Sequence, residues 1–166
     1  MTSSNITLSA DQLRAILRYD QTTGIFVWLV RPSRRAFAGD IAGYPASNGY
    51  TYITFERSKM FAHRLAWLYV TGMVPEVALD HIDGNRSNNR FANLRLAPGS
   101  VNQQNIRAAT SKSLSGVLGA SRQRDVFCAR IVVNRKIIYL GTFVTAEEAG
   151  AAYLNAKRKL HAGCTI

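Results

Sequence analysis

The sequence predicts an α+β protein in two parts. An N-terminal region of short strands and helices closes on one polar loop, and a small C-terminal domain follows, of three antiparallel strands packed on one helix. Three observations predict this. Leu79 to Asn105 reads LDHIDGNRSNNRFANLRLAPGSVNQQN, in which short apolar runs flank a stretch crowded with turn-forming Gly and Asn. Two capping-box patterns, Ser9-Ala10-Asp11-Gln12 and Thr145-Ala146-Glu147-Glu148, each open a helical periodicity. Near the C-terminus the β-rich run Phe127 to Val133 (FCARIVV) meets Lys136 to Leu140 (KIIYL) across Asn134-Arg135.

In chain order, Leu13, Ile16 and Leu17 at helical spacing predict a helix over Ala10 to Arg18. Asp20 to Gly24 is a turn and Ile25 to Val30 a strand. Arg31 to Asp40 reads as an exposed basic loop; solvated connector and phosphate contact both remain open for it. Asn48-Gly49 turns into a strand over Tyr50 to Phe55, and Glu56 to Lys59 closes a hairpin onto Met60 to Ala62. HRLAWLYVTG, from His63, is a mostly buried helix stopped by Gly72, with His63 read as structural. Asn93 to Leu96 forms the strand opposite the apolar run that ends at Leu79, and Ser100, after Pro98-Gly99, caps a short helix bearing Asn102. Arg107 to Ser115 is a linker. Gly119 to Arg124, Phe127 to Val133 and Lys136 to Leu140 are strands, the last ended by Gly141. The final helix places Ala149, Ala152, Tyr153, Ala156 and Leu160 on one face, with Lys157, Arg158, Lys159 and His161 where the macrodipole favours cations.

The charge balance narrows the partners. Against 10 Asp+Glu stand 21 Lys+Arg, a formal net charge of +11, which favours a polyanion. Cys128 and Cys164 are the two cysteines and form no CxxC, so a tetrathiolate zinc is excluded and a disulfide framework is not expected. The N-terminus lacks the basic start and apolar run of a signal peptide, and no run reaches the roughly 20 apolar residues of a membrane span. A cytoplasmic protein without a membrane partner is expected.

In the central stretch, Asp80 offers an anionic oxygen and Asn102 a carbonyl oxygen, both suited to a hard divalent cation. His81 can deprotonate water near neutral pH, and the Asn93 side-chain oxygen is the candidate to fix its tautomer. Spacing alone leaves a satisfied turn network equally open.

Asp80-His81-Ile82-Asp83-Gly84-Asn85-Arg86-Ser87-Asn88-Asn89-Arg90, then Asn93-Leu94-Arg95 and Asn102, resembles the HNH endonucleases of the ββα-metal type found in phage genomes and mobile introns. LSADQLRAILRYDQTTGIFVW and AHRLAWLYVTG are similar to the usual N-terminal half of phage HNH proteins. The resemblance implies a nuclease domain over residues 1–106 with its ββα-metal core at 60–106, a linker at 107–115, and a second domain at 116–166. It implies Asp80 and Asn102 as ligands of a divalent metal, Mg²⁺ or Mn²⁺, with Asn105 the alternative to Asn102. His81 would be the general base and Asn93 its orienter. No structural zinc is implied.

The tail, with LGTF-x-TAEEA-x-AY, resembles the apetala-type (ethylene-response-factor-like) DNA-binding domain, whose sheet lies in the major groove. By position that implies DNA contacts from Arg122, Arg124, Arg130, Arg135 and Lys136; the Trp common in that family is Phe127 here. The two resemblances together imply a metal-dependent endonuclease of phage or homing type acting on double-stranded DNA, as monomer or homodimer. A sequence-specific DNA-binding protein with a vestigial nuclease core is the alternative.

Overall fold

A computed structural model describes residues 8–97, 105–161 and 164. The chain divides into two compact units, residues 1–97 and 98–166.

In the first unit Ser9 caps helix α1 (Ala10–Ile16), and its box with Gln12 is complete. The helix ends two residues earlier than the periodicity predicts. Leu17 already has extended backbone and enters β1 (Leu17–Asp20), pairing with Trp28 of β2 (Ile25–Trp28). Strand geometry sends both Leu17 and Tyr19 into the core, which a continued helix would not do. A two-residue strand β3 (Ile41–Ala42) adds to β2.

A second sheet has the order β4 (Tyr44–Pro45), β5 (Thr51–Phe55), β6 (Ser58–Phe61). Glu56 and Arg57 join β5 to β6 with φ of 48° and 66°, both left-handed as a tight type I′ hairpin requires. Helix α2 (Ala62–Thr71) follows at once and stops at Gly72, whose φ of 75° lets its N–H reach the Leu68 carbonyl. Leu13, Leu17, Phe26, Trp28, Ile53, Leu65 and Leu94 interlock between these elements as one core. Strands β7 (Leu79–His81) and β8 (Leu94–Leu96) form an antiparallel ribbon, with a 3₁₀ turn (Phe91–Asn93) leading into β8. The helix expected to carry Asn102 lies outside the described residues.

The second unit holds the antiparallel sheet β9 (Ala120–Gln123), β10 (Val126–Val133) and β11 (Lys136–Phe143), with β10 central, and helix α3 (Ala146–Leu160) packed on it. Thr145 and Glu148 complete the second capping box. Gly141, expected from sequence to end β11, does not. The strand runs on to Phe143, and Gly141 (φ 132°) lies beside a register shift after Ala129. Glycine there absorbs a bulge rather than stopping the ladder. Lys157 stands in the last turn of α3, as expected, and its side chain is buried, its ammonium donating to the Ile106 carbonyl. Part of the expected linker is tied down too, Ser115 Oγ donating to the Ala120 carbonyl at 2.7 Å.

Candidate active site

The β7–β8 ribbon presents the central motif. Asp80 pairs directly with Arg95 across it, and His81 with Leu94. The Ile82 N–H continues the ladder to the Asn93 carbonyl at 2.8 Å. Between the strands, the loop is organised by Asp83. One carboxylate oxygen accepts from the Asn85 N–H (2.8 Å) and Asn93 Nδ2 (3.0 Å), and the other from Asn88 Nδ2 (2.6 Å). Burial works to raise the Asp83 pKa, but these bonds and the nearby His81 outweigh it and hold it below the usual value. Asn93 closes the same network. Its Oδ1 accepts from the Asp83 N–H at 3.0 Å, and its Nδ2 also reaches the Asn88 carbonyl at 2.8 Å. An Asn-rich loop is thus a rigid turn because each short side chain bonds backbone a few residues away.

Asn89 is the side chain this network delivers to His81. It is buried, its Nδ2 donates to the Ser87 carbonyl at 3.2 Å, and its Oδ1 therefore faces His81 Nε2, at 3.3 Å. Sequence reasoning assigned that place to Asn93, whose carboxamide binds the loop instead. Asn89 is in turn fixed from the N-terminal hairpin. Tyr19 donates its hydroxyl to the Asn89 carbonyl at 2.6 Å, and burial pushes that phenol up to about 12, so it stays a donor. The turn at Gly24 (φ 75°) lies so close that a Cβ there would come within 2.5 Å of the Arg90 nitrogen. No signal in the motif distinguishes Asn89 from Asn88; only the packing of the hairpin does.

His81 is buried, and burial is the first cause of a pKa below the ordinary histidine value; Asn89, Asp83 and Asp80 oppose it, and Arg86 adds to it. The imidazole is therefore neutral at pH 7. His63, expected to be structural, lies edge-on to His81 with ring centroids 5.1 Å apart. It is 6% exposed, and burial, then the His81 and Arg64 charges, bring its pKa down to about 3. Its Nδ1 has no hydrogen-bond partner.

Asp80 is buried, and its Oδ2 accepts from Arg95 Nε (3.1 Å) and Nη2 (2.8 Å). Among the described residues no group of three or more His, Cys, Asp or Glu converges on one point. The donor chemistry at Asp80 suits a cation that retains water and takes further oxygens from substrate, as Mg²⁺ does, and not a full protein cage. Asn102, the other expected ligand, lies outside the described residues. Asn105 is buried in the second unit.

An HNH endonuclease domain is present. Residues 60–104 match that family's model, described as HNH endonuclease. The match covers α2, both strands of the ribbon and the Asn-rich loop. The chain is 31% identical over 112 residues, 66% of its length, to an uncharacterized HNH endonuclease of Acanthamoeba polyphaga mimivirus. It is 34% identical over 95 residues, 53% of its length, to an ethylene-responsive transcription factor of Arabidopsis thaliana. The chain spans 57% of the length of each of these relatives. No solved structure matches.

In the second unit Arg122, Arg124, Arg130, Arg135 and Lys136 are all exposed. Arg130 stands across from Tyr139, and Val132 across from Ile137, on the face of the sheet whose apolar side chains are left open. Arg124 and Arg135 occupy left-handed turn positions, with φ of 53° and 64°. Lys136 begins β11. Among the described residues no helix is long and apolar enough to cross a membrane.

Proposed function

We propose that the chain is a divalent-metal-dependent endonuclease that hydrolyses phosphodiester bonds of double-stranded DNA, with His81 as general base. One observation carries the reading: a buried, neutral imidazole held through Asn89 on a strand whose preceding residue is a buried carboxylate. The Asn89 side-chain oxygen Oδ1 can only accept, so the ring carries its proton on Nε2, and Nδ1 is the basic atom. Nδ1 takes the proton from a water attacking the scissile phosphate, a step worth typically 10²–10⁴-fold in rate.

Asp80, with Asn102, would hold the metal ion, which when bound stabilises charge on the phosphate and on the leaving oxygen. Arg95 keeps the Asp80 carboxylate in place across the ribbon. Asp83, Asn88 and Asn93 keep the loop in the form that aims Asn89 at His81. In the second unit, Arg130 and the exposed strand face, flanked by Arg122, Arg124, Arg135 and Lys136, bind DNA and bring it to the nuclease. This assignment follows the resemblance of the tail, the transcription-factor match and the exposed charge.

The Arg95 pairing of Asp80 favours a second reading, a DNA-binding protein whose nuclease core no longer takes up metal. Supercoiled plasmid incubated with Mg²⁺ or Mn²⁺ separates the two. Nicking by wild type and none by His81→Ala supports the nuclease; binding without cleavage under either metal supports the second reading.

A further inference from the structure

One cation beside His81 takes no part in the reaction described above. Arg86 is exposed on the central loop, yet it is held at two points. Its Nη1 donates to the Asn48 carbonyl at 3.0 Å, and its guanidinium carbon lies 5.0 Å from the centroid of the Tyr50 ring. Tyr50 is itself wedged against the imidazoles, 5.2 Å from His63 and 6.0 Å from His81 between ring centroids. One aromatic ring therefore separates the guanidinium from the proposed base. The ion pairs among the described residues are Arg14 with Asp11 and Arg95 with Asp80, so no carboxylate neutralises Arg86.

A guanidinium has five N–H donors, and the contacts to Asn48 and Tyr50 leave most of them directed to solvent. Stacking and a backbone bond fix the fork before any ligand arrives, which lowers the ordering cost of gripping an oxyanion. The surface continues in the same character. Lys59 Nζ lies 3.9 Å from the Tyr52 centroid and 5.5 Å from that of Tyr44, and Asn48 Nδ2 donates to the Tyr52 hydroxyl at 3.1 Å. Cations held over aromatic rings along one face of β4–β5–β6 suit the backbone of a nucleic-acid strand.

We propose that Arg86, steadied by Tyr50 and Asn48, binds a phosphate oxygen of the DNA strand that enters the His81 site. Arg86 is then a substrate-positioning residue of the first unit, separate from the DNA contacts assigned to the second. The inference rests on the reading of the chain as a DNA-acting protein, but not on cleavage.

The test is binding of a short mixed-sequence duplex by the full chain in EDTA, measured across a series of KCl concentrations. Wild type, Arg86→Ala and Arg86→Lys are compared after thermal melts establish that each is folded. Loss of one charge-assisted phosphate contact weakens Arg86→Ala by about tenfold at low salt. It also makes the slope of log affinity against log salt shallower by roughly 0.9. Arg86→Lys restores the slope but only part of the affinity, because the ammonium cannot reproduce the stacked fork. A purely structural role would lower the melting temperature of Arg86→Ala and leave the slope unchanged. An Arg86→Ala variant with wild-type affinity and slope overturns the proposal. Wild-type binding without plasmid cleavage would remove the nuclease reading while the Arg86 comparison still stands. Absence of any duplex binding by wild type would remove both.

Discussion

His63 meets His81 edge-on, a buried imidazole with an unpartnered Nδ1 and a pKa near 3. Such a group makes stability depend on pH with a definite sign. Its folded pKa lies below the unfolded value of about 6.5, so as pH falls the unfolded chain takes up the proton first. The stability that neutral His63 contributes is therefore complete above about pH 6.5 and is lost as pH falls toward 3. The slope approaches about 1.4 kcal/mol per pH unit. Urea denaturation of wild type and His63→Phe at several pH values checks this: the variant should show a flatter profile over that window. Parallel profiles would mean that His63 is solvated or paired in solution. At the same scale, Asn89→Ala removes the acceptor that fixes the His81 tautomer, and cleavage should fall by about tenfold or more with DNA affinity unchanged. That Asp80 and His81 stand together at the end of a strand was legible from the apolar run before them and the turn-rich loop after them. The division of labour between Asn89 and Asn93 was not. Both are asparagines in a run of asparagines, and only tertiary packing decides which carboxamide faces the ring.

Among the elements, the N-terminal hairpin is part of the site rather than an appendage. Tyr19 and the Gly24 turn bear directly on Asn89 and Arg90. Gly24→Ala combines a strained left-handed φ with a backbone clash, so it should destabilise the first unit by about 1–3 kcal/mol, read by chemical denaturation, and reduce cleavage with it. If Gly24→Ala cleaves and unfolds as wild type does, the hairpin does not brace the loop. Local chemistry forecast most elements: both capping boxes, the stop at Gly72 and the turn at Asn134-Arg135 follow from side-chain types at fixed offsets. It failed where tertiary context overrode it. Leu17 left the helix because a strand buries it with Tyr19. Gly141 stayed inside β11 because a bulge needed its φ. Lys157 read as one of the cations at a helix end, and its burial, with its ammonium on the Ile106 carbonyl, shows only in the tertiary structure.

For the molecule as a whole, the excess of Lys and Arg predicts a steep salt response. If six to ten phosphates are neutralised, DNA affinity should drop by roughly 10³–10⁵ between 50 and 200 mM salt. A flat response would mean that the basic residues do not meet the backbone. Arg130→Ala should weaken DNA binding and leave the melting of both units unchanged, since its side chain is exposed on the open strand face. The central claim, that His81 draws a proton from water attacking a DNA phosphate, is tested most directly by plasmid nicking with Mg²⁺ or Mn²⁺. Wild type should convert supercoiled plasmid to nicked or linear forms, with His81→Ala at least 10²-fold slower and equal in DNA affinity. Equal rates in wild type and His81→Ala, or no conversion by wild type with either metal, would contradict it.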